Sequence, residues 1–216
     1  MVSAESDATG GPDRSIRPRC VDSTLAAGVV AGWECRPTTN LDYGWPVTSE
    51  LFLIRAARPA DVRAIHTLVD PFVRRRLLVA KELIGYYEAV QEFLVAEDSD
   101  GAVIGCGALH ILWEDLGEVR TLAVHPDWRR KGVGRALLEG LFARARRLGL
   151  KRLFCLTFEV TFFGHSGFVP IEGTPVDPEV FSEMLRSHDE GVAQFLDLAR
   201  MKPNTLGNTR MLLELN

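Results

Sequence analysis

The sequence predicts an α/β (α+β) domain with a mixed, mostly antiparallel central sheet that is flanked by helices. Apolar residues with strand-like and helix-like spacing follow one another in the order strand, two helices, three strands, helix, strand, helix, strand. Short connections join the three consecutive strands, which is typical of an antiparallel meander, whereas helices separate the later strands. Because the chain combines both kinds of connection, the sheet is expected to be mixed.

The first predicted elements are a strand and two helices. Residues 51–56 form a short apolar run that fits a first strand. Pro59 and Asp61 then open a helix, since proline suits the first helical turn and the apolar residues beyond it recur with helical spacing. A second helix is predicted over 81–91. Its inward face is expected to carry Leu83, Ile84, Tyr87 and Val90.

The meander and the later elements follow. The sequence Asp-Ser-Asp-Gly at 98–101 predicts a hairpin turn, and Gly149 is expected to end a helix that starts at Gly134. The predicted strands are 93–97, 102–112, 118–124, 151–157, 168–171 and 210–215. The predicted helices are 134–148, a short turn at 161–166 and a long helix over 178–198.

Composition and charge narrow the functional classes. A length of 216 residues with 46% hydrophobic residues suits one domain with a real core. The net charge of -4 argues against a general binder of nucleic acid. The longest early apolar stretch, residues 25–33, is too short to cross a membrane and lacks the pattern of a secretory signal. We therefore expect a cytoplasmic protein with neither nucleic acid nor membrane as a partner.

The first 50 residues differ from the rest of the chain. Residues 1–12 are polar and rich in breakers of regular structure, and residues 21–47 show no sustained period. We expect residues 1–50 to be a disordered extension, followed by one domain over 51–216. The sequence leaves the oligomeric state open, with a homodimer as one option.

The cysteines and histidines do not predict a metal site. The four cysteines form no Cys-x-x-Cys pair, and the five histidines have no ligand spacing relative to them. Cys106 and Cys155 lie in apolar strand-like runs, where a small buried thiol is the expected role.

The most informative stretch, residues 122–138, connects a strand to an amphipathic helix through a basic loop that contains glycine. Such a loop can direct several backbone N–H groups at one anion, and the helix N-terminus adds positive partial charge. Gly132 and Gly134 are expected to allow close backbone approach and conformations barred to other residues. Leu137 stands where a dinucleotide-binding loop needs its third glycine, and the Gly-Lys-Ser/Thr end of a Walker loop is absent. A solvated basic turn without a ligand is the plain alternative.

The pattern Arg129-x-x-Gly132-x-Gly134 after Val124-His-Pro resembles the central motif of the GNAT acetyltransferase superfamily. In that family the loop binds the pyrophosphate of acetyl-CoA, and the preceding strand pairs with the pantetheine arm. The resemblance implies acetyl-CoA as acetyl donor. It also implies that the donor is bound by Leu122, Ala123, Val124, Arg129, Arg130, Lys131, Gly132, Val133, Gly134 and Arg135. Phe163, four positions before Gly167-Phe168, is similar to a later element of the family.

Three further stretches are similar to the acetyltransferase domain of N-acetylglutamate synthase. They are 104–110, 117–126 and 153–157, and the tail 202–213 is similar to the short, stand-alone actinobacterial form. This resemblance implies transfer of the acetyl group to the α-amine of L-glutamate, the first step of arginine biosynthesis. L-Glutamine stays open as a second acceptor, because it is isosteric and a lysine can also donate to an amide oxygen.

The chemistry requires a base, and also a group that stabilises or protonates the leaving thiolate. An α-ammonium must lose a proton before its nitrogen attacks a thioester, so a general base is expected beside the acetyl group. Glu118 fits because it begins the strand that ends at the pantetheine, and the resemblance also implies an acidic base there. For the thiolate, the resemblance implies Thr157 acting through a water. Phe163 stands where many GNAT enzymes have a tyrosine, and His165 is the alternative acid.

A dicarboxylate amino acid requires cations for both carboxylates. The predicted substrate ligands are Lys81, Arg120, Lys202, Asn208 and Arg210. Motif position favours Lys81 and Arg210 as the two cations. Arg120 is a ligand or a partner of Glu118, since residues 118 and 120 share one face of their strand. The alternative for each is a solvated surface residue.

Two other functions stay open. The first is a GNAT enzyme that acts on another amino acid, a small amine or a protein N-terminus. The second is a non-catalytic acyl-CoA-binding module. Glu118 separates this module from the enzymes, because a protein that only binds acyl-CoA has no need of a base at that position.

Overall fold

One mixed sheet forms the centre of the described part of the chain. A computed structural model describes residues 48, 49, 51–198 and 207–215, so the extension predicted over 1–50 lies almost wholly outside the described residues. The eight strands found there have the spatial order β1-β2-β3-β4-β5-β6-β8-β7. They are β1 (Thr48–Ser49), β2 (Phe52–Ala56), β3 (Phe93–Asp98), β4 (Val103–Ile111), β5 (Leu116–Val124), β6 (Arg152–Thr157), β7 (Val169–Pro170) and β8 (Thr209–Glu214).

Helices cover both faces of this sheet. They are α1 (Val62–Arg74), α2 (Leu83–Glu88), α3 (Val133–Arg147), α4 (Val160–Gly164), α5 (Pro178–Met184) and α6 (Glu190–Phe195). α1 and α2 pack on one face, where Ile65 and Tyr86 join Val95 of β3 in one apolar cluster. α3 packs on the opposite face, where Leu137 joins Leu94 of β3.

The strand directions confirm the predicted mixed, mostly antiparallel sheet. Every neighbouring pair is antiparallel except β5 and β6, which run parallel. The pairing of β5 with β6 covers only three residue pairs, from Leu116–Arg152 to Glu118–Phe154. Beyond Glu118 the two strands are no longer paired, so the centre of the sheet opens toward their C-terminal ends.

β5 contains a bulge in the middle of this unpaired stretch. Thr121 and Leu122 together face Gly107 of β4. Thr121 has a φ of 56°, which is rare for a β-branched residue, and a Cβ at Gly107 would lie 2.9 Å from Leu122 Cδ1. The bulge reverses the facing of the strand, because Val119 packs in the core beneath α3 whereas Ala123 packs in the core beneath α1.

Most predicted elements are confirmed to within a few residues. Gly149 follows the C-cap Leu148 of α3, and its φ of 79° is left-handed as the predicted helix end requires. Cys106 and Cys155 are buried free thiols, as predicted, and burial raises the pKa of Cys106 to about 12. Among the described residues, no helix is both long and apolar enough to cross a membrane, and no cluster of three or more ligating side chains suits a metal ion.

The prediction of one long helix over 178–198 was wrong, because the helix is interrupted between α5 and α6. The Asp189 N–H donates to Ser187 Oγ at 3.1 Å, and Asp189 Oδ1 accepts the Val192 N–H at 3.1 Å. Asp189 is thus the N-cap of a new helix, and this local bonding competes with a continuous one.

The inward face predicted for the second helix was right for Leu83 and Val90, which pack against the core, and wrong for Ile84 and Tyr87. α2 has only six residues, and Ile84 and Tyr87 are 63% and 37% exposed. Tyr86 is buried instead, where its ring packs against His66 and Phe93. In so short a helix the contacts of one aromatic ring decide which face turns inward.

Candidate active site

A cavity of about 310 Å³ lies beside the middle of β5. Its walls come from residues 77–81 before α2, residues 118–121 of β5, residues 188–191 at the start of α6, and Leu156, Gln194 and Asn208. It brings together four of the predicted site residues, which are Lys81, Glu118, Arg120 and Asn208. Arg210 and Thr157 do not line it, and Lys202 lies outside the described residues.

Glu118 is the buried acid of this cavity. It is 4% exposed, and its Oε2 accepts no hydrogen bond from any described residue. The Nη1 of Arg120 lies 3.8 Å from that oxygen. Burial raises the pKa of Glu118 to about 7, although the charge of Arg120 acts in the opposite direction. A carboxylate with a pKa near neutrality is suited to take up a proton at physiological pH.

Arg120 is held by two other carboxylates. Its Nη2 donates to Glu92 Oε2 at 2.8 Å, and its Nη1 donates to Asp189 Oδ2 at 3.0 Å. His110, which pairs with Glu118 across β4 and β5, lies 2.7 Å from Glu92 through Nδ1 and 3.4 Å from Asp189 through Nε2. Burial opposes ionisation of both carboxyls, but these cationic and hydrogen-bonding partners outweigh it and lower the pKa of each. Arg120 is therefore already bonded to two carboxylates, and its role as a substrate ligand stays a prediction.

Lys81 differs from Arg120 in its surroundings. Burial, followed by the charge of Arg120, lowers the pKa of Lys81. Within the described residues its ammonium group has no hydrogen bond or ion pair. A partly desolvated cation that makes no hydrogen bond can bind a carboxylate or another anion in the cavity.

The remaining predicted ligands of this region are on or near β8 and β6. Asn208 Oδ1 is buried and accepts no hydrogen bond from the described residues. Arg210 donates from Nη2 to the carbonyl oxygen of Phe195, and burial lowers its pKa. Thr157 ends β6, and its Oγ1 accepts the Glu159 N–H at 2.8 Å, which leaves the hydroxyl hydrogen for another acceptor.

The backbone of the predicted phosphate loop fits an anion. Arg130 and Gly132 have left-handed φ values of 62° and 85°, and Gly132 is the N-cap of α3. No side chain caps the first turn of that helix, so its N–H groups are open to a ligand. Gly134 does not have the left-handed backbone that we expected, and a Cβ there would meet Phe162 and Val124 at an ordinary 3.6 Å.

The side chains of the loop are mostly exposed. Lys131 Nζ lies 4.7 Å above the ring centre of Trp128, and the Arg129 guanidinium lies 5.9 Å from the ring centre of Phe72. Arg135 forms a surface pair with Glu139, and Val133 is buried in the core, so Val133 can offer a ligand only its backbone.

The strand before the loop can also offer mainly its backbone. The side chains of Leu122 and Val124 pack in the core beneath α3, and that of Ala123 packs beneath α1. Their backbone lies along the opening where β5 and β6 are no longer paired. An extended ligand arm with amide groups fits such a free strand edge, as a pairing strand would.

Sequence reasoning missed Glu92, His110 and Asp189. The register of the β4–β5 pair places His110 opposite Glu118, so counting residues back from the turn could have found it. The run Ser-His-Asp at 187–189 carries an N-cap signal, which competes there with the helical spacing of residues 178–198. Glu92 has no local signal, because only the tertiary structure brings it to Arg120.

Comparisons with known proteins agree with this geometry. The model of the acetyltransferase (GNAT) family matches residues 60–165. The amino-acid acetyltransferase of Mycobacterium tuberculosis is 56% identical over 165 residues, which span 76% of this chain and 94% of that protein.

Solved structures show the same fold. The crystal structure of Rv2747 from Mycobacterium tuberculosis in complex with CoA and NLQ superposes with a TM-score of 0.73 at 56% identity, covering 76% of this chain and 99% of that one. The N-acetylglutamate synthase from Neisseria gonorrhoeae, complexed with coenzyme A and N-acetyl-glutamate, has a TM-score of 0.62 at 23% identity and covers 78% of this chain and 36% of its own. This second likeness concerns the fold alone. The chain therefore belongs to the acetyltransferase (GNAT) family and takes its acetyl group from acetyl-CoA.

Proposed function

We propose that this chain transfers the acetyl group of acetyl-CoA to the α-amine of L-glutamate, as in the first step of arginine biosynthesis. The coarser activity is that of an amino-acid N-acetyltransferase, on the strength of 56% identity over 94% of the Mycobacterium tuberculosis amino-acid acetyltransferase. One observation carries the finer assignment. Lys81, a cation with no hydrogen bond or close ion pair among the described residues, shares a cavity with the buried acid Glu118.

Glu118 is the proposed general base. It lies where the paired part of β5 and β6 ends, and its pKa of about 7 leaves a useful fraction ionised at neutral pH. Acetyl-CoA supplies the thioester carbonyl that the nucleophile attacks. Glu118 accepts a proton from the α-ammonium of the acceptor, which frees the nitrogen lone pair for that attack. Backbone N–H groups near Leu122 are proposed to hold the oxyanion. Thr157 is proposed to stabilise or protonate the leaving thiolate through a water.

Lys81 is the proposed ligand of an acceptor carboxylate, since Arg120 is already bonded to Glu92 and Asp189. The charge of Lys81 is one of the effects that lower the pKa of Glu118. A bound carboxylate cancels part of that effect, so Glu118 becomes a stronger base once the acceptor is in place. Arg210 and Lys202 stay predicted ligands of the second carboxylate, and Asn208 Oδ1 is a candidate acceptor for the ammonium group.

The test compares Lys81→Met with Lys151→Met in an assay of CoA release across a panel of amino acids. We expect glutamate to have the highest kcat/KM in the unmodified enzyme. Lys81→Met should raise the KM for glutamate about 10- to 100-fold, the cost of one desolvated charge-assisted contact, and leave the KM for acetyl-CoA unchanged. Lys151 is exposed and lies outside the cavity, so Lys151→Met should change neither constant.

Glutamine shows which carboxylate Lys81 contacts. If Lys81 binds the γ-carboxylate, Lys81→Met discriminates less between glutamate and glutamine, because only glutamate carries charge at that end. Acetylation of peptides or polyamines, with neither amino acid accepted, contradicts the glutamate assignment and leaves the family alone. Binding of acetyl-CoA without turnover of any acceptor would instead favour the acyl-CoA-binding module.

A further inference from the structure

The helix α6 touches the buried acid of the cavity directly, and it does so at Gly191. A Cβ built at Gly191 would overlap Glu118 Oε2, lie 2.8 Å from Glu118 Cδ and lie 2.9 Å from Asp189 Oδ1. Real Cβ atoms essentially never come within 3.0 Å of another heavy atom in this way. No larger residue fits this position unless Glu118 or α6 moves.

Asp189 fixes α6 at this place through both of its carboxylate oxygens. Oδ1 accepts the Val192 N–H at 3.1 Å and caps the helix. Oδ2 accepts from Arg120 Nη1 at 3.0 Å, and His110 Nε2 lies 3.4 Å from the same oxygen. Since Arg120 follows Glu118 by two residues on β5, Asp189 ties the start of the helix to the strand that carries the acid.

Gly191 is the second residue of α6, directly after the N-cap Asp189 and Glu190. Only a residue without a side chain at this position lets the helix backbone cover the carboxylate of Glu118. We propose that Gly191 is a positioning residue that seats α6 on Glu118, shields the carboxylate from water and fixes its direction in the cavity. This inference rests on the proposed role of Glu118 as base and not on the identity of the amino acid.

Charged and titratable groups face Glu118 from every element around it. They are Arg120 on β5, His110 on β4, Lys81 before α2, Asp189 before α6 and Cys155 on β6. Burial is nevertheless the largest influence on its pKa, and it acts upward. A side chain at position 191 that pushes the carboxylate toward water therefore lowers the pKa of Glu118.

The test compares Gly191→Ala with Gly85→Ala. Gly85 lies in α2, a helix of the same length, and a Cβ there would meet nothing within 4 Å. Gly85→Ala should leave Tm unchanged or slightly higher and should not alter turnover. Gly191→Ala should lower Tm by about 5 °C or more, because overpacking forces the backbone or Glu118 to move.

The kinetic signature of Gly191→Ala separates positioning from general damage. We expect kcat to fall about 10- to 100-fold, as for a displaced catalytic group, while the affinity for acetyl-CoA is unchanged. The acid limb of the pH profile of kcat/KM should move to lower pH, since the carboxylate is less buried. A variant with the Tm, kcat and pH profile of the unmodified enzyme overturns the proposal.

A double-mutant cycle tests the contact without any acceptor. Glu118→Ala removes the carboxylate that Gly191→Ala would meet, so most of the Tm loss should disappear when the two are combined. If Gly191→Ala does not fold alone, recovery of the fold in the Glu118→Ala background is the supporting result. An equal loss in both backgrounds contradicts the proposal. Because this cycle measures stability, it stands even if the acceptor is not glutamate.

Discussion

The proposed donor loop and the acceptor cavity are built in different ways. The loop is one continuous stretch, residues 129–135, whose backbone shape depends on the left-handed Arg130 and Gly132. The cavity takes its walls from segments that are far apart in the sequence, from residue 77 to residue 208. A family can therefore keep donor binding in a short motif, while acceptor binding depends on how distant segments pack together.

The largest expected effect is on turnover when Glu118 is replaced, because this change should affect the acceptor cavity and not the donor loop. Glu118→Gln keeps the shape of the side chain but removes the base, so kcat should fall by about 10² to 10⁴. The affinity for acetyl-CoA should be unchanged in the same variant, as isothermal titration can show. Glu183→Gln is the matched control, because Glu183 is an exposed residue of α5 that pairs with Arg186. Full turnover in Glu118→Gln would contradict the role of Glu118 as base and leave it a structural residue.

Donor binding is tested by the stability of the fold. If the loop binds acetyl-CoA, a hundredfold excess over Kd should raise the free energy of unfolding by about 2.7 kcal/mol. Replacing both Arg130 and Lys131 by alanine should remove much of this rise, because two exposed cations no longer face the phosphates. A thermal-shift titration checks both statements, and a flat curve for the unmodified chain contradicts the assignment of the loop.

The pH dependence should come from the cavity and not from the loop. Below a pKa of about 7 Glu118 is protonated, so kcat/KM should fall about tenfold per pH unit on the acid side. Stability should change in the opposite direction. The native state keeps a proton that the unfolded state releases between pH 4.5 and 7, so the free energy of unfolding falls as pH rises through this range. Glu118→Gln should lack this slope in urea titrations at pH 5 and 8.

The smallest expected effect distinguishes the two glycines of the loop. Gly132→Ala should cost about 1 kcal/mol without ligand, because position 132 has a φ of 85°. Gly134→Ala should be neutral or slightly stabilising, since its backbone is helical and a methyl group has ordinary contacts. Urea unfolding without acetyl-CoA measures the difference. Equal costs would mean that the left-handed backbone at position 132 does not disfavour alanine.

The same contrast explains which features the sequence could predict. The boundaries of α1 and α3, the hairpins and the loop follow from spacing and turn residues within a few positions of one another. The network around Arg120 could not be predicted in the same way, because Glu92 and Asp189 lie 28 and 69 residues from it in the chain. The cytoplasmic location, a homodimer and the disordered extension stay predictions, since the described residues do not test them.

The bulge at Thr121 divides β5 into two parts that face different proposed sites. Upstream of it, Glu118 and Arg120 face the acceptor cavity, and downstream of it the strand leads into the donor loop with its alternation reversed. If β5 alternated regularly from Val124 with Thr121 retained, Glu118 would instead face the core beneath α3. The extra residue thus lets a single strand direct Glu118 and Arg120 to the cavity and direct Leu122 and Val124 to the core beneath α3.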